Sequence, residues 1–360
     1  MKILAIESSC DETAAAVVEN GVRLLSNVVV TQIDIHKEYG GVVPEIAARS
    51  HLEAINPVIT RALHEADCDW DDIDAIAVTN APGLSGSLLV GTLTARTLAV
   101  LHNKPLYPIH HVEAHVYANF ITQQADHLSL PLPSSQPRFP MLALIVSGGH
   151  SQLVLFRNHG DYTLLGQTQD DAVGEAFDKV AKILGLPYPG GPSITKAALR
   201  GDPDTYQLPK AKLTNPYDFS FSGLKTAVLR AVQRDVGKDF TFPSHELSGL
   251  LTASQRDNFA ASFQKIAVET LVDKTVLAFS RGNPASVVIA GGVAANQELR
   301  RQLSARLPIP IEYAPMQLCT DNAAMIGALA YFKSQVIAPS DPHAVTITPS
   351  LSMTKTAWAI

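Results

Sequence analysis

The chain has 360 residues, too many for one small core and suited to two lobes of ordinary size. Hydrophobic residues make up 46% and charged residues 17%, which excludes a disordered chain. The net charge of −6 argues as a global figure against a nucleic-acid binder, yet ten Lys/Arg against five Asp/Glu fall between Lys179 and Asp239, leaving −11 on the remainder. A basic region on an acidic body is a footprint for a polyanion.

The first thirty residues read as three strands: 2–7, 13–18 after the polar turn Ser8-Ser-Cys-Asp-Glu12, and 22–30 after the hairpin signal Asn20-Gly21. With Met1-Lys2-Ile3 running straight into a strand, and no run approaching about eighteen apolar residues, neither a signal peptide nor a membrane span is expected. Cys10, Cys68 and Cys319 are odd in number and lack C-x-x-C spacing, which suits reduced thiols in a cytoplasm. Next come a strand over 73–79, a flexible loop Asn80-Ala-Pro-Gly-Leu-Ser-Gly-Ser87, a helix over 88–102 and a strand over 105–109. The stretch 123–140, rich in Pro, Ser and Gln, reads as a surface loop linking two halves.

The opening pattern then returns, with strands over 142–146, 152–156 and 162–165 around the turns Ser147-Gly-Gly-His150 and His159-Gly-Asp161. A repeated strand–turn–strand–hairpin–strand unit predicts two homologous half-structures. Later come a strand over 287–290, the turn Gly291-Gly292 and a helix over 294–307. The lobes are therefore placed at 1–122 and 141–321, with the helical run over 322–336 a candidate to return to the first. Residues 337–360 form a tail, expected to be poorly ordered because 341–360 lacks periodicity.

His111 and His115 lie four apart, so on a helix both imidazoles leave one face and could share a metal ion. The zinc-protease signature H-E-x-x-H has its glutamate beside the first histidine; here Glu113 is two residues on and points away from that face. Asp321 either caps the following helix or supplies a carboxylate to the histidines. In Ser147-Gly148-Gly149-His150 two glycines allow close approach to an anion, and hydroxyl and imidazole add donors. The turn at 8–13 instead offers carboxylates that repel phosphate, and Asp11 is a candidate acid–base group or a turn residue bonding its own backbone. Asp178 either accepts from ribose hydroxyls or pairs with Lys182.

Ile6-Glu-Ser-Ser-Cys-Asp-Glu-Thr13, Val43-Pro-Glu-Ile-Ala-Ala-Arg-Ser-His51, Ala81-Pro-Gly-Leu-Ser-Gly-Ser87, His111-Val-Glu-Ala-His115, Val146-Ser-Gly-Gly-His150, Gly174-Glu-Ala-Phe-Asp-Lys179, Tyr188-Pro-Gly-Gly-Pro192, Phe219-Ser-Phe-Ser-Gly-Leu-Lys225, Gly291-Gly-Val-Ala-Ala-Asn296 and Cys319-Thr-Asp-Asn322 occur in that order. Together, over roughly residues 1–335, they closely resemble the bacterial TsaD branch of the tRNA N6-adenosine threonylcarbamoyltransferases.

The resemblance implies an α/β fold of the actin/Hsp70/sugar-kinase (ASKHA) type, two related RNase H-like lobes around a cleft. It implies transfer of a threonylcarbamoyl group from threonylcarbamoyl-AMP to N6 of adenosine 37 in tRNAs, releasing AMP. The family's metal ligands fall on His111, His115 and Asp321, with iron(II) expected and zinc the alternative. Its substrate positions fall on Ile145, Val146, Ser147, Gly148, Gly149, Asp178, Gly191 and Asn296, and Asp11 is the candidate base. Expected partners are tRNA, the paralogous subunit TsaB and the P-loop ATPase TsaE. The competing readings are a metalloprotease (the family's older sialoglycoprotein endopeptidase label), a small-molecule kinase and a non-catalytic nucleotide-binding scaffold.

Overall fold

The structure, a computed structural model, describes residues 1–355 and residue 358. Its first lobe opens with β1 (Lys2–Glu7), β2 (Glu12–Glu19) and β3 (Arg23–Thr31), followed by helices α1 (Ile33–Lys37) and α2 (Pro44–Glu65). Then come β4 (Ala75–Ala81), α3 (Ser85–Leu101), β5 (Leu106–His110), α4 (His111–Tyr117) and the two-residue β6 (Gln123–Gln124). The second lobe holds β7 (Met141–Val146), β8 (Ser151–Asn158), β9 (Asp161–Gln167), α5 (Val173–Leu184), α6 (Gly190–Ala198), α7 (Ser222–Asp235), α8 (Ala253–Gly282), β10 (Ser286–Ala290), α9 (Gln297–Arg306), β11 (Ile311–Tyr313) and α10 (Met316–Cys319). Helix α11 (Ala323–Ser334) follows and packs on the first sheet.

The two sheets share one plan. The first runs β5-β4-β1-β2-β3-β6 and the second β11-β10-β7-β8-β9. In each, three antiparallel strands are followed by two parallel ones. Parallel strands need crossover helices, which is why each lobe alternates strand and helix after its opening meander. Hairpin β2–β3 closes on Asn20 and Gly21, both at positive φ (51° and 70°), the backbone that an Asn-Gly pair adopts readily.

Strand β1 is buried on both faces, and its alternation divides the core. Leu4 and Ile6 face the helices α2 and α3, while Ile3 and Ala5 face α11 in a cluster continuous with the second lobe. Helix α11 approaches closely because residue 327 is glycine: a Cβ there would lie 2.8 Å from Val18 Cγ2 and 3.3 Å from Ala5 Cβ. Gly327→Val is therefore expected to cost about 1–3 kcal/mol by overpacking, read from the urea midpoint.

An aromatic cluster fastens the lobes together. Tyr117, Phe120 and Phe332 of the first meet His159 of the second and Phe139 of the stretch between them, with His159 stacked on Phe332 at a centroid separation of 4.1 Å. Burial holds the His159 imidazole down at about 4, against 6.5 when free. The neutral ring's contribution is thus complete above about pH 6.5 and lost as pH falls through 4. Stability should decline across that window, and His159→Phe should shrink the decline in urea titrations at stepped pH.

The structure differs from the sequence reading at four places. The stretch 123–140 begins not as loop but as β6, an edge strand parallel to β3. The loop at 80–87 is not flexible: helix α3 begins at Ser85, and Leu84 N and Ser87 Oγ donate to the carbonyls of Ser9 and Cys10 at 2.8 and 3.1 Å. The helix expected over 294–307 starts as a 3-10 turn over Gly292–Ala295, and α9 proper begins at Gln297.

The tail is tied down rather than loose. Ser340 N donates to Leu106 O, Thr348 N to Asn80 O and Gly83 N to Pro349 O, at 2.9 to 3.0 Å. Val345 and Met353 are buried, so apolar anchors as well as backbone bonds fix the strap despite its lack of periodicity. The remainder of the expected tail, 356, 357, 359 and 360, lies outside the described residues. Among the described residues no helix is long and apolar enough to cross a membrane.

Candidate metal centre between the lobes

Strand β5 runs directly into α4, so the end of the sheet's parallel edge strand delivers two histidines on one helical turn. The turn is capped from its own sequence: His110 Nδ1 accepts from Glu113 N at 3.3 Å, while its Nε2 donates to Leu351 O of the strap at 3.1 Å. His111 and His115 are both buried, their rings edge to face at 4.7 Å.

Asp321 enters from the junction of α10 and α11. The cap of α11 is not Asp321 but Asn322, whose side chain accepts from Met325 N at 3.1 Å. That leaves the Asp321 carboxylate facing the histidines, with Oδ1 3.3 Å from His115 Nε2 and 3.5 Å from His111 Nε2. One ligand atom from each of the three lies within 4.8 Å of the others. Adjacent ligands about 2.0–2.2 Å from one ion would be separated by roughly 3–3.5 Å, so the set fits a divalent cation. Both ring nitrogens of buried His115 lack a hydrogen-bond partner among the described residues, a deficit that a cation on one of them would relieve. Three protein ligands leave coordination positions open, the pattern of a catalytic rather than a purely structural site.

Glu7, fully buried at the end of β1, fixes His111. It accepts from Ser9 N at 2.6 Å and Thr79 Oγ1 at 2.5 Å, and lies 3.1 Å from His111 Nδ1. A proton on Nδ1 turns the Nε2 lone pair toward Asp321, the usual arrangement behind a ligating histidine. Burial would lower His111, but Asp321 and Glu7 outweigh it and raise the imidazole to about 9. Burial would likewise raise Asp321, yet His111 and His115 hold it well below the usual carboxylate range. Beside them, burial and then the charges of Asp321 and Asp11 push Glu12 up to about 10. A pocket so crowded with carboxylates favours a cation.

Glu113, as the spacing implied, turns away from the histidines. Tyr162 OH donates to it at 3.4 Å in the interior, and burial raises it to about 7 against the opposing pull of Lys333. It cannot serve as a base at this centre.

Opposite the acidic turn stands Ser147–His150. Gly148 and Gly149 are exposed with open space where a Cβ would be, whereas a Cβ on Gly174 would lie 2.5 Å from Ser147 O. That small residue lets the start of the twelve-residue α5 seat against the turn, where Gly174 N and Glu175 N donate to Ser147 O and Gly148 O at 3.3 and 3.2 Å. Burial, then the neighbouring His111, His115 and His110, lower His150 to about 3, so it stands neutral.

Asp178 does not pair with Lys182. Its Oδ1 accepts from Gly190 N at 2.6 Å and anchors the loop whose next residue, Gly191, faces open space. Burial raises Asp178, and Asp11 across the cleft adds to the rise. Asn296 caps α9 and donates to Gln264 Oε1 and Thr195 Oγ1 at 3.1 and 3.3 Å, beside a groove of about 500 Å³. Ile145 and Val146 are fully buried in the second sheet, so only their backbone is available to a ligand.

The basic region is less free than its composition suggested. Lys179 pairs with Asp171 and Glu175, Lys225 with Asp171, Arg200 with Asp257 and Lys210 with Glu269.

Sequence reasoning assigned no role to Glu7, Ser9, His51 or His110, and offered Glu12 only as one of the carboxylates of the turn at 8–13. His51 bonds Thr13 Oγ1 at 2.8 Å and Cys10 O at 3.0 Å, bracing the acidic turn from α2. Its signal was available: it occupies the buried stripe of α2 between Ala47 and Ile55. Glu7 was flagged only by being a charge at the end of an apolar strand.

Comparison with known proteins supplies the family. The family model described as TsaD, tRNA N6-adenosine threonylcarbamoyltransferase, matches residues 23–328. A protein of that name from Thermomicrobium roseum is 51% identical over 342 residues, covering 93% of this chain and 92% of its own. Another, from Dehalococcoides mccartyi, is 49% identical over 354 residues, covering 98% and 100%.

Two solved structures share the fold at 12% identity. Full-length HypF in its phosphate- and nucleotide-bound form aligns over 94% of this chain and 47% of its own with a TM-score of 0.55. The activator of the 2-hydroxyisocaproyl-CoA dehydratase from Clostridium difficile, with bound ADPNP, aligns over 97% and 100% with a TM-score of 0.50. The fold is of the ASKHA type, and the chain belongs to the tRNA N6-adenosine threonylcarbamoyltransferase family, a family of transferases.

Proposed function

We propose that the chain transfers the threonylcarbamoyl group of threonylcarbamoyl-AMP to N6 of adenosine 37 in tRNAs reading codons that begin with A, with AMP released. The observation carrying this reading is the convergence of His111, His115 and Asp321 within 4.8 Å beside an acidic turn and facing an anion-receptive one. These three residues are the ligands we assign to a divalent ion, iron(II) first and zinc as the alternative. Such an ion, when bound, supplies Lewis acidity to the carbonyl of the donor.

The donor is a mixed anhydride, already activated, so the remaining residues chiefly position it and stabilise charge. The backbone of Gly148 and Gly149, beside the start of α5, receives the phosphate. Gly191 leaves room for the ribose next to Asp178, and the groove beside Asn296 takes the adenine. As N6 bonds to the carbonyl carbon, the carbon–oxygen bond to the phosphate breaks and AMP leaves. Asp11 is the base we assign to the proton that N6 sheds, and His51 holds the turn that carries it.

The resemblance adds two partners. TsaB is assigned to the outer face of α2 and α3, where Leu52, Leu89 and Leu93 are exposed. TsaE is assigned ATP hydrolysis, since this sequence has no Walker motif. A tRNA substrate places the work in the cytoplasm.

The test is direct. Metal-loaded chain with its paralogous subunit is incubated with threonylcarbamoyl-AMP and tRNA, and the digested nucleosides are read by mass spectrometry. Threonylcarbamoyladenosine at position 37, matched by AMP, is the expected result. AMP without modified nucleoside would reduce the reading to donor hydrolysis.

A further inference from the structure

Of the ten cations of the basic region four are held in ion pairs, and of the six that remain three stand together on α7 and the loop that follows it. Arg230, Arg234 and Lys238 are all exposed and make no ion pair among the described residues. Arg230 and Arg234 lie four residues apart on α7, about 6 Å from one another along one face, and Lys238 follows just beyond the helix end, past the turn at Gly237. The carboxylates in the same segment are engaged elsewhere. Asp235 accepts from Tyr206 OH and Gln255 Nε2 at 2.8 and 2.7 Å, and Asp239 from Thr241 N and Oγ1 at 2.8 and 2.6 Å.

At the end of the row stands Phe240, 73% exposed, with the Arg230 guanidinium 5.7 Å from its ring centre. An exposed aromatic framed by unpaired cations on a chain of net charge −6 has the makings of a nucleic-acid contact.

The other end of α7 lies by the cleft. Phe221 N donates to Asp170 at 2.8 Å, Lys225 and Lys179 share Asp171, and Lys179 sits on α5, whose start abuts the Ser147–His150 turn. From there the fourteen residues of α7 run about 20 Å outward.

We infer that the exposed face of α7, through Arg230, Arg234, Lys238 and Phe240, is a contact surface for the anticodon stem–loop of the tRNA whose target adenosine enters the cleft. This rests on the reading of tRNA as substrate. The three cations bind phosphates of one strand, and Phe240 stacks on a base or sugar of that strand. Cations already held in ion pairs, such as Lys210, take no part.

The test uses the chain together with its paralogous subunit and a fluorescent tRNA, titrated at several salt concentrations. Replacing Arg230, Arg234 and Lys238 together by alanine should raise the tRNA Kd at least about tenfold and flatten the log Kd against log salt slope by about 2–3. KM for tRNA should rise while kcat and KM for threonylcarbamoyl-AMP stay put. Phe240→Ala should weaken binding several-fold without changing the salt slope, and Lys210→Ala should do neither. Unchanged Kd and slope in the triple variant, with the parent binding and modifying tRNA, would overturn the surface alone. A parent complex that neither binds nor modifies tRNA would overturn the functional reading, and this inference with it.

Discussion

His115→Ala is expected to lose bound metal and to lower threonylcarbamoyl transfer by roughly 10²–10⁴-fold, the range that several kcal/mol of lost charge stabilisation implies. His115 is one of the three ligands we assign, and its ring nitrogens have no hydrogen-bond partner among the described residues, so what the variant is expected to lose is the ion. Asp321→Asn is the companion variant. It keeps side-chain volume and removes the charge that lies 3.3 and 3.5 Å from the two imidazoles. Elemental analysis of the purified variants reads metal content, nucleoside mass spectrometry reads activity, and circular dichroism checks the fold. Full transfer by a folded, metal-free Asp321→Asn protein would remove the ion from the mechanism.

Glu7→Gln should weaken metal affinity about 10–100-fold although Glu7 touches no ion, because its work is done through His111. The carboxylate accepts from Ser9 N, Thr79 Oγ1 and His111 Nδ1 together. An amide brings an N–H of its own, so one of those three donors must lose its acceptor in a site closed to water. The imidazole is then free to adopt the other tautomer or to turn. A competition titration against a metal-buffering chelator reads the affinity. Activity should recover when metal is supplied in excess, which distinguishes weakened binding from a lost catalytic group. An unchanged affinity would mean that the Ser9 hydroxyl, 3.1 Å from His111 Nδ1, is enough to orient the ring.

The two expected effects differ in how well the sequence announces them. The spacing of His111 and His115 is visible in the string because a helix places residues four apart on one face, and α4 does so. The repeated strand–turn–strand unit was equally legible, since alternation and turn residues are local properties, and both sheets follow one order. Glu7 could not be recognised this way. It lies 104 residues from His111, and nothing local distinguishes a carboxylate that orients an imidazole from one that ends a strand. The basic stretch misled for a related reason. Composition counts cations, whereas Lys179 and Lys225 face Asp171 only once α5 and α7 are packed. The tail misled because its order comes from distant partners such as Leu106 and Asn80 and not from any periodicity of its own.

By itself the sequence determined the strands of the two opening units, their repeated plan, the ordered motifs and the direction in which Glu113 points, because these are local features of residue type and spacing. Tertiary structure alone decided that Asp321, left free by the local cap of Asn322 on α11, meets His111 and His115. It also decided which cations stay unpaired. These outcomes depend on contacts between residues tens to hundreds of positions apart, and such contacts exist only after two sheets have closed on a common core.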